Sequence, residues 1–341
     1  MKKQTQHGFF DEENRLIKLT KKKDPLVKLS KMIDWEIFRP VIEKAMRKAD
    51  KGIGGRPPYD YIMMFKVLIL QRLYNVSDEQ MEFQINDRLT FMRFLGLGLS
   101  DNIPDQNTIW LFRENLVNKE VIEKLFDKFA CMLEREGFLL KEGSIIDATI
   151  VEAPKQRNSR DENEEIKQGK IPEEWKNNPN MLRQKDTDAR WLKKNGENYY
   201  GYKNHVKVCR KSKIISTYKV TDASVHDSQM AGVLLDKSDS RHELYADSAY
   251  SGEEIAAMLE KKKIRNRIHK KGYSNTPLTE AQWEGNRKKS KIRARVEHVF
   301  AYMTNSMKGI YLRTIGIQRA KGSVGLMNLT YNMNRYLYLA G

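Results

Sequence analysis

The chain has 341 residues, 40% of them hydrophobic and 31% charged, with a formal net charge of +17 and a pI near 9.6. That is apolar content for a core and length for two or three domains, and the positive excess points to a polyanionic partner: DNA, RNA or an acidic membrane surface. Cys131 and Cys209 form no CxxC pair and fit a reducing compartment, MKKQTQHGFFDEEN lacks the apolar core of a secretory signal, and YIMMFKVLILQRLY, broken by Lys66, is too short to span a bilayer.

The first residues are basic, with three consecutive lysines at 21–23 and no strong periodicity before about Pro25; GGRPP at 54–58 punctuates the chain. Residues 59–74 carry apolar side chains at helical spacing. SDEQ at 77–80 matches a capping box, with Ser77 as N-cap and Gln80 three residues on, and predicts a helix through about Asp87. A short helix near 91–95, one starting at Pro104 and Asp105, and one over 119–136 stopped by Gly137 complete an all-helical domain. The pattern changes at Gly137. Residues 143–152 read as a strand, 154–198 as a long polar segment that is a functional loop or disordered, and 199–211 and 213–223 as two strands. A helix over 228–235, a strand over 243–250, a helix over 253–263 and a strand in IRNRIHKK follow. After a polar insertion at 272–286, helices over 287–308 and 322–340 close the chain. There is no internal repeat. The expected division is a basic segment at 1–54, a helical domain at 55–138 and a mixed sheet with helices on it at 139–341.

One strand raises a question: KEGSIIDATIV carries Asp147 in the middle of a strand-forming run, where Asp is depleted. A second carboxylate, Asp247, ends the strand candidate LYAD. A third, Glu297, borders the apolar stripe Val296, Val299, Phe300 and Met303 of a helix, one turn after Arg293. Taken singly, the three read as a turn or edge residue, a cap, and a solvated helix residue. Together they fit a site at strand ends, where two touching carboxylates would repel unless a divalent cation joined them. Separations of 100 residues between the two aspartates and 50 from Asp247 to Glu297 draw each acid from a different element.

IIDATIV, YADSAY and RARVEHVF, with GYKNHVKV, TDASVHDS and GRPPYDYIMMFKVLILQRLYNVSDEQ, resemble the insertion-sequence transposases of the DDE class, and among them the bacterial insertion-sequence family five. The likeness runs over about residues 40–340. It implies an RNase H-like catalytic domain, α/β with a mixed sheet flanked by helices, preceded by an all-α domain. It implies Asp147, Asp247 and Glu297 as catalytic residues and as ligands of two Mg2+ ions, with Mn2+ as a substitute. It further implies double-stranded DNA as partner, both element ends and target, a homodimer or higher oligomer in the synapse, no membrane, and a cytoplasmic, nucleoid-associated protein. In the related pattern Y-x2-R-x3-E-x6-K, Arg293 and Glu297 match, while Ser290 and Thr304 stand at the Tyr and Lys places. On a continuous helix Lys308 would lie about 16 Å beyond Glu297, within reach of DNA but not of the metals.

Residues 261–295 hold 13 Lys or Arg against 2 Glu. In and beside this run Lys289, Arg293, Arg295 and Lys308 are the expected DNA contacts. Tyr273 and Trp283 either stack on a frayed base or anchor an exposed loop. In SVHDSQ a helix N-cap by Asp227 or Ser228 is weighed against a second catalytic pair with His226. His298 packs beside Glu297 or touches DNA; Asp222 is a turn residue or a supporting acid. In the helical domain Lys66, Arg72 and Arg88 are candidate DNA contacts. Helices 77–88 and 105–117 form a helix-turn-helix or a bracing bundle. Three functions are in competition: a transposase, an RNase H-like nuclease without strand transfer, and an inactive DNA-binding element product.

Overall fold

The computed structural model describes residues 8, 10–47, 57–140, 142–273, 275–309 and 311–341. Residues 54–56 of GGRPP lie outside them. The chain divides into two compact units, Met1–Leu116 with Ala340–Gly341, and Val117–Leu339.

The first unit is helical: α1 (Asp11–Lys21), α2 (Pro25–Met32), a 3-10 turn Trp35–Phe38, α3 (Arg39–Met46), α4 (Tyr61–Tyr74), α5 (Asp78–Asp87), α6 (Leu89–Leu95) and α7 (Gln106–Asn118), whose last turn crosses into the second unit. Helix α1 buries no side chain, so it left no apolar stripe to read in the sequence. Helix α4 starts where the Asp60 carboxylate accepts the N–H groups of Ile62 and Met63, both at 2.9 Å, and ends at Asn75 in the left-handed conformation. Ser77 accepts from Gln80 N–H at 3.2 Å, half of the expected capping box. Arg113 of α7 holds Asp78 through both Nη atoms, at 2.6 and 2.7 Å, and Gln71 of α4 donates to the same carboxylate. This bidentate, half-buried pair ties α4, α5 and α7 together. Two candidate DNA contacts lie over aromatic rings. The Lys66 ammonium stands 5.3 Å from the Trp35 ring and 5.5 Å from Phe94, and burial pulls its pKa down. Arg88 lies over Phe91 and Tyr74.

The second unit opens with α8 (Val121–Arg135) and is built on six strands: β1 (Ser144–Glu152), β2 (Arg190–Lys194), β3 (Glu197–Cys209), β4 (Ile215–Asp222), β5 (Glu243–Tyr245) and β6 (Arg265–Asn266). Central β3 pairs antiparallel with β1, β2 and β4; β1 then pairs parallel with β5, and β5 with β6. Four strands paired antiparallel, β1 to β4, continued by two parallel ones, β5 and β6, with helices on the sheet, make the mixed α/β architecture expected. Gly201 is needed in β3: a Cβ there would sit 2.3 Å from the Val151 carbonyl of β1.

Side chains alternate across a sheet. On one face Ile146, Leu244 and Ala246 pack against α12 (Ala231–Leu234), α13 (Glu253–Lys261) and the buried Tyr250. Helix α14 (Glu280–Ala301) packs on β1 and β5, and α15 (Ile317–Leu339) on α8, β3 and β4. Helix α15 docks through polar as well as apolar groups. Asn204 and Asn328 exchange amide bonds at 2.9 and 3.1 Å, and Asn332 bonds both backbone groups of Ile215. Each such buried bond contributes about 1 kcal/mol net, but an orphaned partner would cost more.

Two sequence expectations are corrected here. The polar segment 154–198 is ordered, with α9 (Arg160–Lys167), α10 (Glu173–Asn177), α11 (Pro179–Leu182) and β2 in it. A few anchors replace a large core: Trp175 is fully buried and donates to Glu162 at 2.7 Å, and buried Asp186 accepts from Tyr202 Oη and the N–H groups of Asp188, Ala189 and Gly316. Composition could not reveal this, because the anchoring groups are polar. The second correction concerns α14. It begins at Glu280, with a full capping box between Thr279 and Gln282, so the polar insertion is shorter than expected. It ends at Ala301, followed by a π turn Tyr302–Ser306, and Lys308 lies beyond with φ 57°. Lys308 therefore is not on the helix of Glu297.

Candidate active site

Asp147 sits on the β1 face that meets α14, and its side chain is 13% exposed. Its Oδ1 accepts the N–H of Ala148 at 2.9 Å, and its Oδ2 accepts from Arg293 Nη1 at 3.0 Å. Burial pushes its pKa up to about 6; the Ala148 bond and Arg293 oppose the shift, and Asp247 adds to it. The strand therefore carries a carboxylate that is poorly solvated and matched by one arginine, with Asp247 nearby.

Strands β1 and β5 pair Ser144 with Leu244 and Ile145 with Tyr245; Asp247 follows two residues past the end of β5, close enough for its charge to act on Asp147. Asp247 Oδ1 accepts from Ala249 N–H at 2.9 Å and caps the 3-10 turn Ser248–Tyr250, which turns the chain away just past the strand end. Glu297 comes from α14. Its side chain is 55% exposed, and its Oε1 accepts from Arg293 Nη2 at 2.7 Å, one helical turn back. The guanidinium of Arg293 thus forks between Asp147 and Glu297, while its buried Nε has no hydrogen-bond partner.

All three acids offer hard oxygen donors, the chemistry that a divalent cation takes. Among the described residues, no three His, Cys, Asp or Glu side chains are gathered closely enough to hold an ion as they stand. Arg293 occupies one oxygen of Asp147 and one of Glu297.

The other expected contacts fall in different places. Lys289 Nζ donates to the Ile268 carbonyl at 2.7 Å, and Arg295 Nη1 to the Arg210 carbonyl at 2.7 Å. Tyr273 and Trp283 are 62% and 64% exposed. His298 Nδ1 lies 2.9 Å from Lys213 Nζ. Asp222 is the last residue of β4, and its Oδ1 accepts from Ser224 N–H. The N-cap of the turn Asp227–Met230 is His226, whose ring accepts from Ser228 N–H; Asp227 instead pairs with Lys203 at 2.8 Å, and that ion pair draws it from the capping position. One residue beside the acids was missed: His269, whose N–H donates to the Ala246 carbonyl at 3.1 Å, lies in the fields of Arg293 and Asp247, and burial lowers its pKa. The signal was available, since IRNRIHKK ends the strand next to β5.

Two family models match the chain. One, described as a transposase domain (DUF772), covers residues 14–115, inside the first unit; the other, described as a transposase DDE domain, covers residues 139–333, more than half of the chain. Among solved structures, the chain is similar to a piggyBac transposase seen by cryo-electron microscopy in a synaptic complex with hairpin DNA. The identity is 11% and the TM-score 0.48, over 93% of this chain and 75% of that one.

Proposed function

This chain belongs to the transposase DDE domain family, and we propose that it cuts the ends of an insertion element of family five and joins the freed 3′-hydroxyl to target DNA. What supports this reading is the convergence of Asp147 and Glu297 on Arg293, with Asp247 just past the end of the strand paired to β1. In this reading Asp147, Asp247 and Glu297 hold two Mg2+ or Mn2+ ions. When bound, these activate the attacking oxygen and neutralise the leaving one in an in-line displacement. Arg293, released from its carboxylates, turns its planar fork to a phosphate oxygen. Lys289 and Arg295 keep protons free for the backbone after donating to carbonyls, and Lys308 adds charge beyond the helix. Trp283 and Tyr273 present ring faces to a frayed base. Both element ends must be cut together, which calls for a homodimer or higher oligomer working at the nucleoid. Among the described residues no helix is long and apolar enough to cross a membrane.

The experiment is cleavage of a labelled duplex bearing the element's terminal repeat, with Mg2+ and then with chelator, by the wild type and Asp247→Asn. Metal-dependent cutting at the end, joining of that end to a second duplex, and loss of both in the variant are expected. Cutting without joining would make the protein a nuclease. Tight binding without cutting would make it an inactive DNA-binding product.

A further inference from the structure

The turn between β3 and β4 is held by two helices. Arg295 of α14 donates to the carbonyl of Arg210 at 2.7 Å, Arg335 of α15 through Nε to that of Ser212 at 2.6 Å, and Tyr331 Oη to that of Lys213 at 2.8 Å. These bonds fix where two guanidinium groups stand. Lys213 joins them, with its ammonium 2.9 Å from His298 Nδ1. Neighbouring cations of the same turn are neutralised: Arg210 pairs with Glu243 at 2.6 Å and Lys211 with Glu142 at 3.0 Å. The bonds of Lys213, Arg295 and Arg335 go to carbonyls and an imidazole, with no carboxylate among them.

Two costs are carried at this spot. Burial, then Arg335 and Arg295, push the Lys213 ammonium towards losing its proton. Lys213 also has φ 62°, in the left-handed region that glycine adopts more readily, a backbone conformation it shares with Lys23, Arg241, Lys263 and Lys308.

We propose that Lys213, His298, Arg295 and Arg335 form a phosphodiester site that grips the DNA backbone beside the acid cluster, His298 being next to Glu297 on α14. The inference rests on the transposase reading for the identity of the polyanion. Such a contact positions the strand without reading its sequence.

The test uses the full-length chain in chelator, where no cleavage intervenes, and follows binding to a duplex as salt is raised. Lys213→Gly removes the charge and the strain together. Its thermal midpoint should be unchanged or higher, while the slope of log affinity against log salt falls by about 1, the value for one lost phosphate contact. Lys211→Gln, outside the cluster, should leave the slope as it is. An unchanged slope in Lys213→Gly, or an equal fall in Lys211→Gln, would overturn the site. Wild-type binding with the expected slopes but no cutting in Mg2+ would sink the proposed reaction and leave the site standing; no binding by the wild type would overturn both.

Discussion

Helix α14 borders two clusters of opposite sign. On one side Asp147 and Glu297 share a single arginine, and the charge of Asp247 is felt at Asp147. On the other, Arg295 and His298 meet Lys213 and Arg335 with no acid among them. In the proposed function one ligand serves both: a phosphodiester arriving with divalent cations. Elsewhere charges are matched, as where Arg113 holds Asp78 in the first unit. Like charges held together and left unmatched thus separate functional ground from structural ground better than charge density does.

That contrast can be broken from the acid side first. Asp247→Asn or Glu297→Gln should lower end cleavage at least a hundredfold while binding in chelator stays within a few-fold, measured on the same labelled duplex. Full cleavage by either variant would remove that residue from the site. Next in size is stability. The folded Asp147 carboxyl holds its proton up to a pH of about 6 against an ordinary 3.8, so its contribution to stability is full below pH ~4 and is lost as pH rises through about 6. Asp147→Asn should therefore raise stability at pH 7 by roughly 1–3 kcal/mol and flatten the pH dependence between 4 and 6, read by urea melts, while cleavage is lost. A destabilised variant with an unchanged pH profile would mean that Arg293 outweighs burial there. On the cation side, Arg335→Ala should cost about 1–2 kcal/mol, because the Ser212 carbonyl loses its donor and the Tyr338 ring its cation, 4.7 Å away. The smallest effect is at Trp283, exposed on α14: Trp283→Ala should move stability by less than about 0.5 kcal/mol, and weaker binding to frayed than to blunt ends would mark the ring as a stacking platform.

Much of the acid side was legible. A carboxylate inside a strand-forming run, another at a strand end and a third on the margin of a helical stripe are local violations of pattern, and a single sequence displays them. The cation side was less so. Lys213 is one lysine among many in sequence, and its left-handed backbone and missing counter-charge exist only after β3, β4, α14 and α15 meet. The same blindness hid the order in 154–198, where Trp175 and Asp186 anchor a polar segment through single bonds, and the start of α14 at Glu280, whose solvated first turns carry no stripe. It also hid that the Lys66 ammonium lies over Trp35 and Phe94.

The sequence by itself determined the helical first part, the mixed sheet that follows and the basic character of the chain, because periodicity, caps and charge are written residue by residue; the three acids were singled out through the family resemblance. Tertiary structure alone decided that Asp247 comes near Asp147, that Arg293 bridges two acids, and that Lys213, Arg295 and Arg335 bond to carbonyls and an imidazole. Those are properties of distance and desolvation, and both arise only when elements far apart in the chain pack together.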